Sequence, residues 1–249
     1  MELSVVIPVL NEAGNVGPLL AEIRAALDGR FDYEVIVVDD GSSDATPDEL
    51  KAQRAGFPRL RVIRHRAACG QSAALRSGVH AARGRFIATL DGDGQNDPAD
   101  IPRLWQVLQQ QGDAAGRTLV NGHRQKRQDT AIRRLSSRIA NRVRSRLLRD
   151  DTPDSGCGLK LYARALYLGL PYFDHMHRFM PALVRREGGA VLSVPVNHRP
   201  RHAGRSKYGI GNRLWVGIVD LMGVRWLQSR AHRPAAAELP APAPQAGEQ

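Results

Sequence analysis

The chain has 249 residues, with 36 Lys and Arg against 25 Asp and Glu for a formal charge of +11, and aromatics at only 5%. That length supports one substantial core and fits a single domain with appendages. A basic chain this poor in aromatic residues lacks the stacking platforms of a single-strand nucleic-acid binder, and Cys69 and Cys157, without Cys-x-x-Cys spacing, support neither a zinc site nor an oxidising compartment.

Ser4-Val5-Val6-Ile7-Pro8 is apolar and β-branched and reads as a first strand. Asn11-Glu12 then opens a stretch with Val16, Leu19, Leu20, Ile23 and Leu27 at helical spacing. Tyr33 to Val38 is the second strand, followed by Asp39-Asp40-Gly41-Ser42-Ser43-Asp44 and a helix that begins at Thr46-Pro47. Leu60 to Ile63 is a shorter strand, Gln71 to Ala82 a helix, and Phe86 to Leu90 a fourth strand. This alternation predicts an α/β fold, a mostly parallel sheet flanked by helices, with ligands beyond the carboxyl ends of the strands. Glu12, Asp39, Asp40, Asp91 and Asp93 all fall at such ends. Asp39 reads as a loop brace and Asp44 as a cap on the following helix.

The fourth strand stops at Asp91-Gly92-Asp93-Gly94-Gln95. Two carboxylates one residue apart suit a hard divalent cation, Mg2+ or Mn2+, that keeps positions open for phosphate oxygens. Asp and Gly also dominate ordinary turns, so the segment alone leaves both readings open. Pro8-Val9-Leu10-Asn11-Glu12-Ala13-Gly14 lacks the Gly-x-Gly-x-x-Gly spacing of a dinucleotide-binding turn, and the chain has no Gly-x-x-x-x-Gly-Lys-Ser/Thr loop. Phosphate held through a metal is then the more economical expectation than a glycine nest.

Between Arg124 and Arg149 lie ten basic residues and one acid, Asp129, with Ile132, Leu135, Ile139, Val143 and Leu147 recurring every three or four positions. A helix here carries an apolar stripe flanked by arginines, which fits an anionic membrane surface or an ordinary packed helix with a solvated basic face. Leu214 to Leu227 is apolar but interrupted by Asp220 and Arg225, and it falls short of the roughly 20 apolar residues of a membrane span. Trp215 and Trp226 near its ends suit a membrane interface or a docking helix equally. Beyond Ser229 the sequence is rich in Pro and Ala without periodicity, so 231–249 reads as a disordered tail. The N-terminus enters a strand at once, without the pattern of a signal peptide, and a cytosolic location is expected.

Three blocks, Ser4 to Glu12, Val38 to Asp44 and Leu90 to Pro98, resemble the signatures of family 2 glycosyltransferases with the GT-A fold. Asp154 to Lys160, His177 to Leu183 and His198 to Gly209 narrow the resemblance to the branch containing dolichol-phosphate mannosyltransferase and bacterial polyprenyl-phosphate glycosyltransferases. The resemblance runs from Met1 to about Leu227. It implies a metal-dependent, inverting transfer of a sugar from a nucleotide diphosphate, UDP- or GDP-linked, to a polyprenyl phosphate at the cytosolic membrane face. Pro8, Glu12 and Asp40 would surround the base and ribose, and Asp91, Asp93 and Gln95 match the metal positions. Arg124, Arg133 and Ser137 match acceptor-phosphate positions, although the segment between Arg124 and Arg133 is shorter than in the archetype. Arg201 and Ser206-Lys207 match a segment over the donor phosphates, and Asp154 and Ser155 would bind sugar hydroxyls, with His177 and Arg178 lining the same side or supporting the core.

The expected division is 1–123 for nucleotide sugar and metal, 124–209 for the acceptor, 210–230 for an interfacial or docking helix, and the tail. Relatives of this branch often carry two membrane spans after the catalytic part, so membrane attachment here calls for reversible docking or a membrane-spanning partner. Two alternatives remain: the same chemistry on a glycan, protein or lipid headgroup, which needs a base such as Asp154 or Asp97, and a non-catalytic binder of anionic surfaces or nucleic acid, disfavoured by the acidic strand-end edge.

Overall fold

One seven-stranded sheet in the order β3-β2-β1-β4-β6-β5-β7 organises the chain. The structure is a computed structural model and describes residues 1–124, 144–200 and 211–232. The strands are β1 (Leu3–Val9), β2 (Tyr33–Asp39), β3 (Leu60–Arg64), β4 (Phe86–Thr89), β5 (Thr118–Arg124), β6 (Lys160–Ala163) and β7 (Ala190–Val196). The first four are linked by α1 (Val16–Leu27), α2 (Thr46–Gly56) and α3 (Gln71–Ala81), and α4 (Ile101–Gln109) precedes β5. Every pairing is parallel except those of β6, which runs antiparallel to both β4 and β5.

The strand interiors explain this layering. All seven residues of β2 and all four of β4 are buried, as expected where helices cover both faces and the strands become near-continuous apolar runs. The residues predicted at helical spacing in α1, Val16, Leu19, Leu20, Ile23 and Leu27, form its buried face. They join Leu3, Val5 and Ile7 of β1 in one core, while Val6, Ile36 and Val38 face the other core beneath α3. The four N-terminal strands begin and end within a residue or so of the sequence expectation.

Parallel β1, β2 and β4 bring their carboxyl ends to one edge. The reversed β6 adds its amino end to that same edge, because Lys160 lies in register with Thr89 of β4 and with Asn121 of β5. The turn at 154–159 therefore opens beside Asp91. Asp39 and Asp44 do what their positions suggest: Asp39 Oδ1 accepts from the Ser42 amide at 2.9 Å, and Asp44 Oδ1 accepts from the Thr46 amide at 3.0 Å.

Of the basic stretch expected to be helical, residues 144–148 are helix and 125–143 lie outside the described residues, as does the expected tail from 233 onward. The run Leu214 to Leu227 falls within a helix spanning Gly211–Ser229. Val224 of that helix is buried in the α3-side core, with Leu221 and Leu227 packed against it.

Candidate functional site

At the strand-end edge lies a cleft of about 630 Å³. It gathers Pro8 and Glu12 from the end of β1, Asp40 from β2, Asp91 and Asp93 from β4, Arg124 from β5, and Asp154 and Ser155 from the turn before β6. These residues are far apart in sequence and were all expected at a site. Gln95 is not among the lining residues; its amide Nε2 donates to the Arg199 carbonyl at 3.4 Å. Arg133, Ser137, Arg201 and Lys207 lie outside the described residues.

Asp91 forms the floor. Gln71 Nε2 at the start of α3 donates to its Oδ1 at 2.8 Å, and its backbone amide donates to Asn96 Oδ1 at 3.1 Å. Burial and then the neighbouring charge of Asp93 push its carboxyl up to about 6, although Lys160 and Arg124 pull the other way. Opposite stands Gly158, where an added Cβ would land on the Asp91 carboxylate; only a residue without a side chain leaves that carboxylate room. Two crowded carboxylates, one of them driven toward its protonated form, make a donor set that a divalent cation fits and stabilises.

Asp40 is 3% exposed and tied into its own loop. Its Oδ1 accepts from the Cys69 amide at 2.9 Å and lies 2.7 Å from His65 Nδ1, and its Oδ2 accepts from the Gly70 amide at 2.8 Å. Donor atoms of Asp40, His65 and Cys69 fall within 4.8 Å of one another, but these hydrogen bonds already engage both carboxylate oxygens, so the trio is a loop anchor. Glu12 Oε2 accepts from Asn15 Nδ2 at 2.7 Å.

On the other wall Arg124 and Asp154, expected to hold acceptor phosphate and sugar, hold each other through Nε–Oδ2 and Nη2–Oδ1 contacts of 2.7 Å. Burial opposes ionisation of Asp154, but the hydrogen bonds and charge of Arg124 outweigh it and keep the carboxyl below its ordinary range. Arg144 also lines the cleft, paired with buried Asp150 and donating from Nη2 to the Thr152 carbonyl at 2.7 Å. His177 and Arg178 both reach the cleft. His177 Nδ1 lies 2.7 Å from Ser72 Oγ, and burial, reinforced by Arg178, Lys160 and His175, pushes its pKa down to about 3.

Sequence reasoning missed Gln71, Arg144 and Lys160. Lys160 is 4% exposed and donates to the Ser155 carbonyl at 3.1 Å and to the Cys157 carbonyl. Burial lowers its pKa against the opposing pull of Cys157, Asp91 and Asp154. Its place at the end of the Asp154–Lys160 block was a signal. For Gln71 the signal was weaker: a helix start facing the same edge as Asp91.

The sequence profile described as glycosyl transferase family 2 matches residues 4–169. The chain is 38% identical over 243 residues to dodecaprenyl-phosphate galacturonate synthase of Rhizobium johnstonii, covering 94% of itself and 69% of that protein. It is 36% identical over 223 residues to undecaprenyl-phosphate 4-deoxy-4-formamido-L-arabinose transferase of Edwardsiella ictaluri, covering 88% of itself and 65% of that protein. The chain thus spans about two thirds of the length of these relatives. Among solved structures, glucosyl-3-phosphoglycerate synthase of Mycobacterium tuberculosis, crystallised with Mg2+ and uridine diphosphate, superposes with a TM-score of 0.66 at 21% identity, over 94% of this chain and 81% of that one. That likeness is one of fold.

Proposed function

Because the chain belongs to glycosyl transferase family 2, we propose that it moves a sugar from a UDP- or GDP-linked donor to the phosphate of a polyprenyl lipid, with inversion at the anomeric carbon. One observation carries this reading: a single cleft is lined by Asp91 and Asp93 together with Arg124, Asp154 and Ser155. The names of the relatives support the acceptor, since each joins a sugar to dodecaprenyl or undecaprenyl phosphate.

Asp91 and Asp93 would hold Mg2+ or Mn2+, which supplies Lewis-acid stabilisation of the departing diphosphate. Pro8, Glu12 and Asp40 form the donor end, and Asp154 and Ser155 the sugar end. Arg124, Arg133, Ser137, Arg201 and Lys207 are assigned to phosphate, since guanidinium forks and ammonium groups suit that geometry. A phosphate acceptor is already ionised near neutral pH and needs no strong base. The cleft agrees with that requirement: Asp154 is held low by Arg124 and His177 is pushed down to about 3, so both are weak bases. Asp97 accepts from Ala99 and Asn197, each at 3.0 Å, in a bracing role. An acceptor that needed deprotonation would find poor help among these three groups.

The enzyme would work peripherally on the cytosolic face of an anionic membrane, alone or with a membrane-spanning partner. Among the described residues no helix is long and apolar enough to cross a membrane, and the helix Gly211–Ser229 exposes Ile218, Val219, Met222 and Trp226.

The deciding experiment incubates the protein with a panel of UDP- and GDP-sugars, undecaprenyl phosphate and Mn2+, and follows the lipid-linked product. Asp93→Ala should abolish transfer while leaving the circular dichroism spectrum unchanged. Full activity of that variant in the presence of EDTA would sink the metal-dependent mechanism.

A further inference from the structure

Arg199 stands outside the cleft, yet it grips the segment that carries the two aspartates. Its Nη1 and Nη2 donate to Glu22 Oε1 and Oε2 on α1 at 3.0 and 2.7 Å. The same Nη2 donates to the carbonyls of Gly94 and Asn96, both at 3.2 Å. Its backbone amide donates to the Gln95 carbonyl at 3.0 Å, and the Gln95 side chain returns to the Arg199 carbonyl at 3.4 Å. His198 and Asn96 form an antiparallel bridge beside it. Three successive carbonyls, 94 to 96, are therefore fixed by one residue that is itself bolted to α1.

The loop needs that fixing. Gly92 and Gly94 flank Asp93, and Gly94 sits at φ 72°, a backbone with much freedom to lose on ordering. Within the loop Asp93 Oδ1 accepts from the Gln95 amide at 3.1 Å, and Asn96 Oδ1 holds the Asp91 amide at 3.1 Å. Both aspartates thus take their direction from the residues whose carbonyls Arg199 holds.

We propose that Arg199, braced by Glu22, is a positioning residue that preorganises Asp91 and Asp93 for a divalent cation. This inference rests on the metal reading above. Without the brace, ordering the loop is charged to metal binding, which weakens affinity without any ligand being lost. A lysine keeps the positive charge but cannot span two carboxylate oxygens and two carbonyls at once.

The test is Mn2+ binding followed by electron paramagnetic resonance in the presence of saturating UDP, with metal-free UDP binding and thermal unfolding measured alongside. Arg199→Ala should weaken Mn2+ by about tenfold or more, with Arg199→Lys and Glu22→Gln showing smaller losses in the same direction and metal-free UDP affinity unchanged. Should Arg199→Ala not fold, the two milder variants carry the test. Wild-type Mn2+ affinity in the variants overturns the inference, and so does a parallel loss of metal-free UDP binding, which marks a general disturbance. If the wild-type protein itself gives no saturable Mn2+ signal, the metal reading falls and this inference falls with it.

Discussion

Arg124 and Asp154 are joined by two parallel hydrogen bonds of 2.7 Å, and the Arg124 backbone amide adds a third to Asp154 Oδ2 at 3.3 Å. Their side chains are only 16% and 7% exposed, so the fork is shielded from the water that makes surface ion pairs weak. It ties the end of β5 to the turn before β6, across the cleft wall where acceptor and sugar would meet.

Removing one partner of such a shielded pair leaves the other charge poorly solvated and without its hydrogen-bonded counterpart, a loss of about 3–5 kcal/mol. Arg124→Ala and Asp154→Ala should each lower stability in urea unfolding by an amount of that order, while the double variant loses less than the sum because no orphan charge remains. Transfer should fall sharply in all three. Strict additivity of the two stabilities would show that the pair is not coupled.

That pair also marks where reading the sequence runs out. The β-branched runs that became β1 to β4, the apolar stripe of α1 and the aspartates at the strand ends were legible because each is written in local spacing. The Arg124–Asp154 fork spans 30 positions, Gln71–Asp91 spans 20 and Arg199–Glu22 spans 177, and no local period encodes such partners. Lys160 illustrates the same limit. It belongs to a recognisable block, but only the antiparallel course of β6 places its ammonium under the turn carbonyls of Ser155 and Cys157. Gly158 lies in the same block, and only the folded arrangement puts the Asp91 carboxylate where its Cβ would be.

His177 gives the acid limb of stability a definite sign. Its pKa falls from 6.5 to about 3 in the folded chain, so below pH 6.5 the unfolded chain binds a proton that the folded chain refuses. Stability from this group is full above pH 6.5 and lost as pH falls toward 3, by up to about 1.4 kcal/mol per pH unit. Asp91, pushed up to about 6, acts oppositely: the folded chain holds the extra proton, and that contribution is lost as pH rises from about 4 through 6. Substitution separates the two. His177→Gln, which can keep a hydrogen bond to Ser72, should flatten the loss of stability between pH 6.5 and 4, whereas Asp91→Asn should steepen it. Urea midpoints across that range read both slopes, and an unchanged slope in His177→Gln would mean that the imidazole accepts its proton inside the fold.

Along the C-terminal helix Ile218, Val219, Met222 and Trp226 are 41%, 60%, 60% and 59% exposed, and their spacing places them on one stripe. Val224 is buried on the opposite side against the domain, so the helix is held by one face and presents an apolar one. A membrane interface suits such a face, with Trp at headgroup depth and the chain's positive charge favouring anionic lipid. Vesicles of mixed phosphatidylcholine and phosphatidylglycerol should therefore sediment the protein, and added salt should weaken the charge-driven part. Burying a large apolar side chain is worth about 1.5–3 kcal/mol, so replacing both Met222 and Trp226 with Ser should reduce partitioning by more than about tenfold without changing transfer to a detergent-solubilised acceptor. Binding that ignores both lipid charge and these substitutions would assign the stripe to a protein contact.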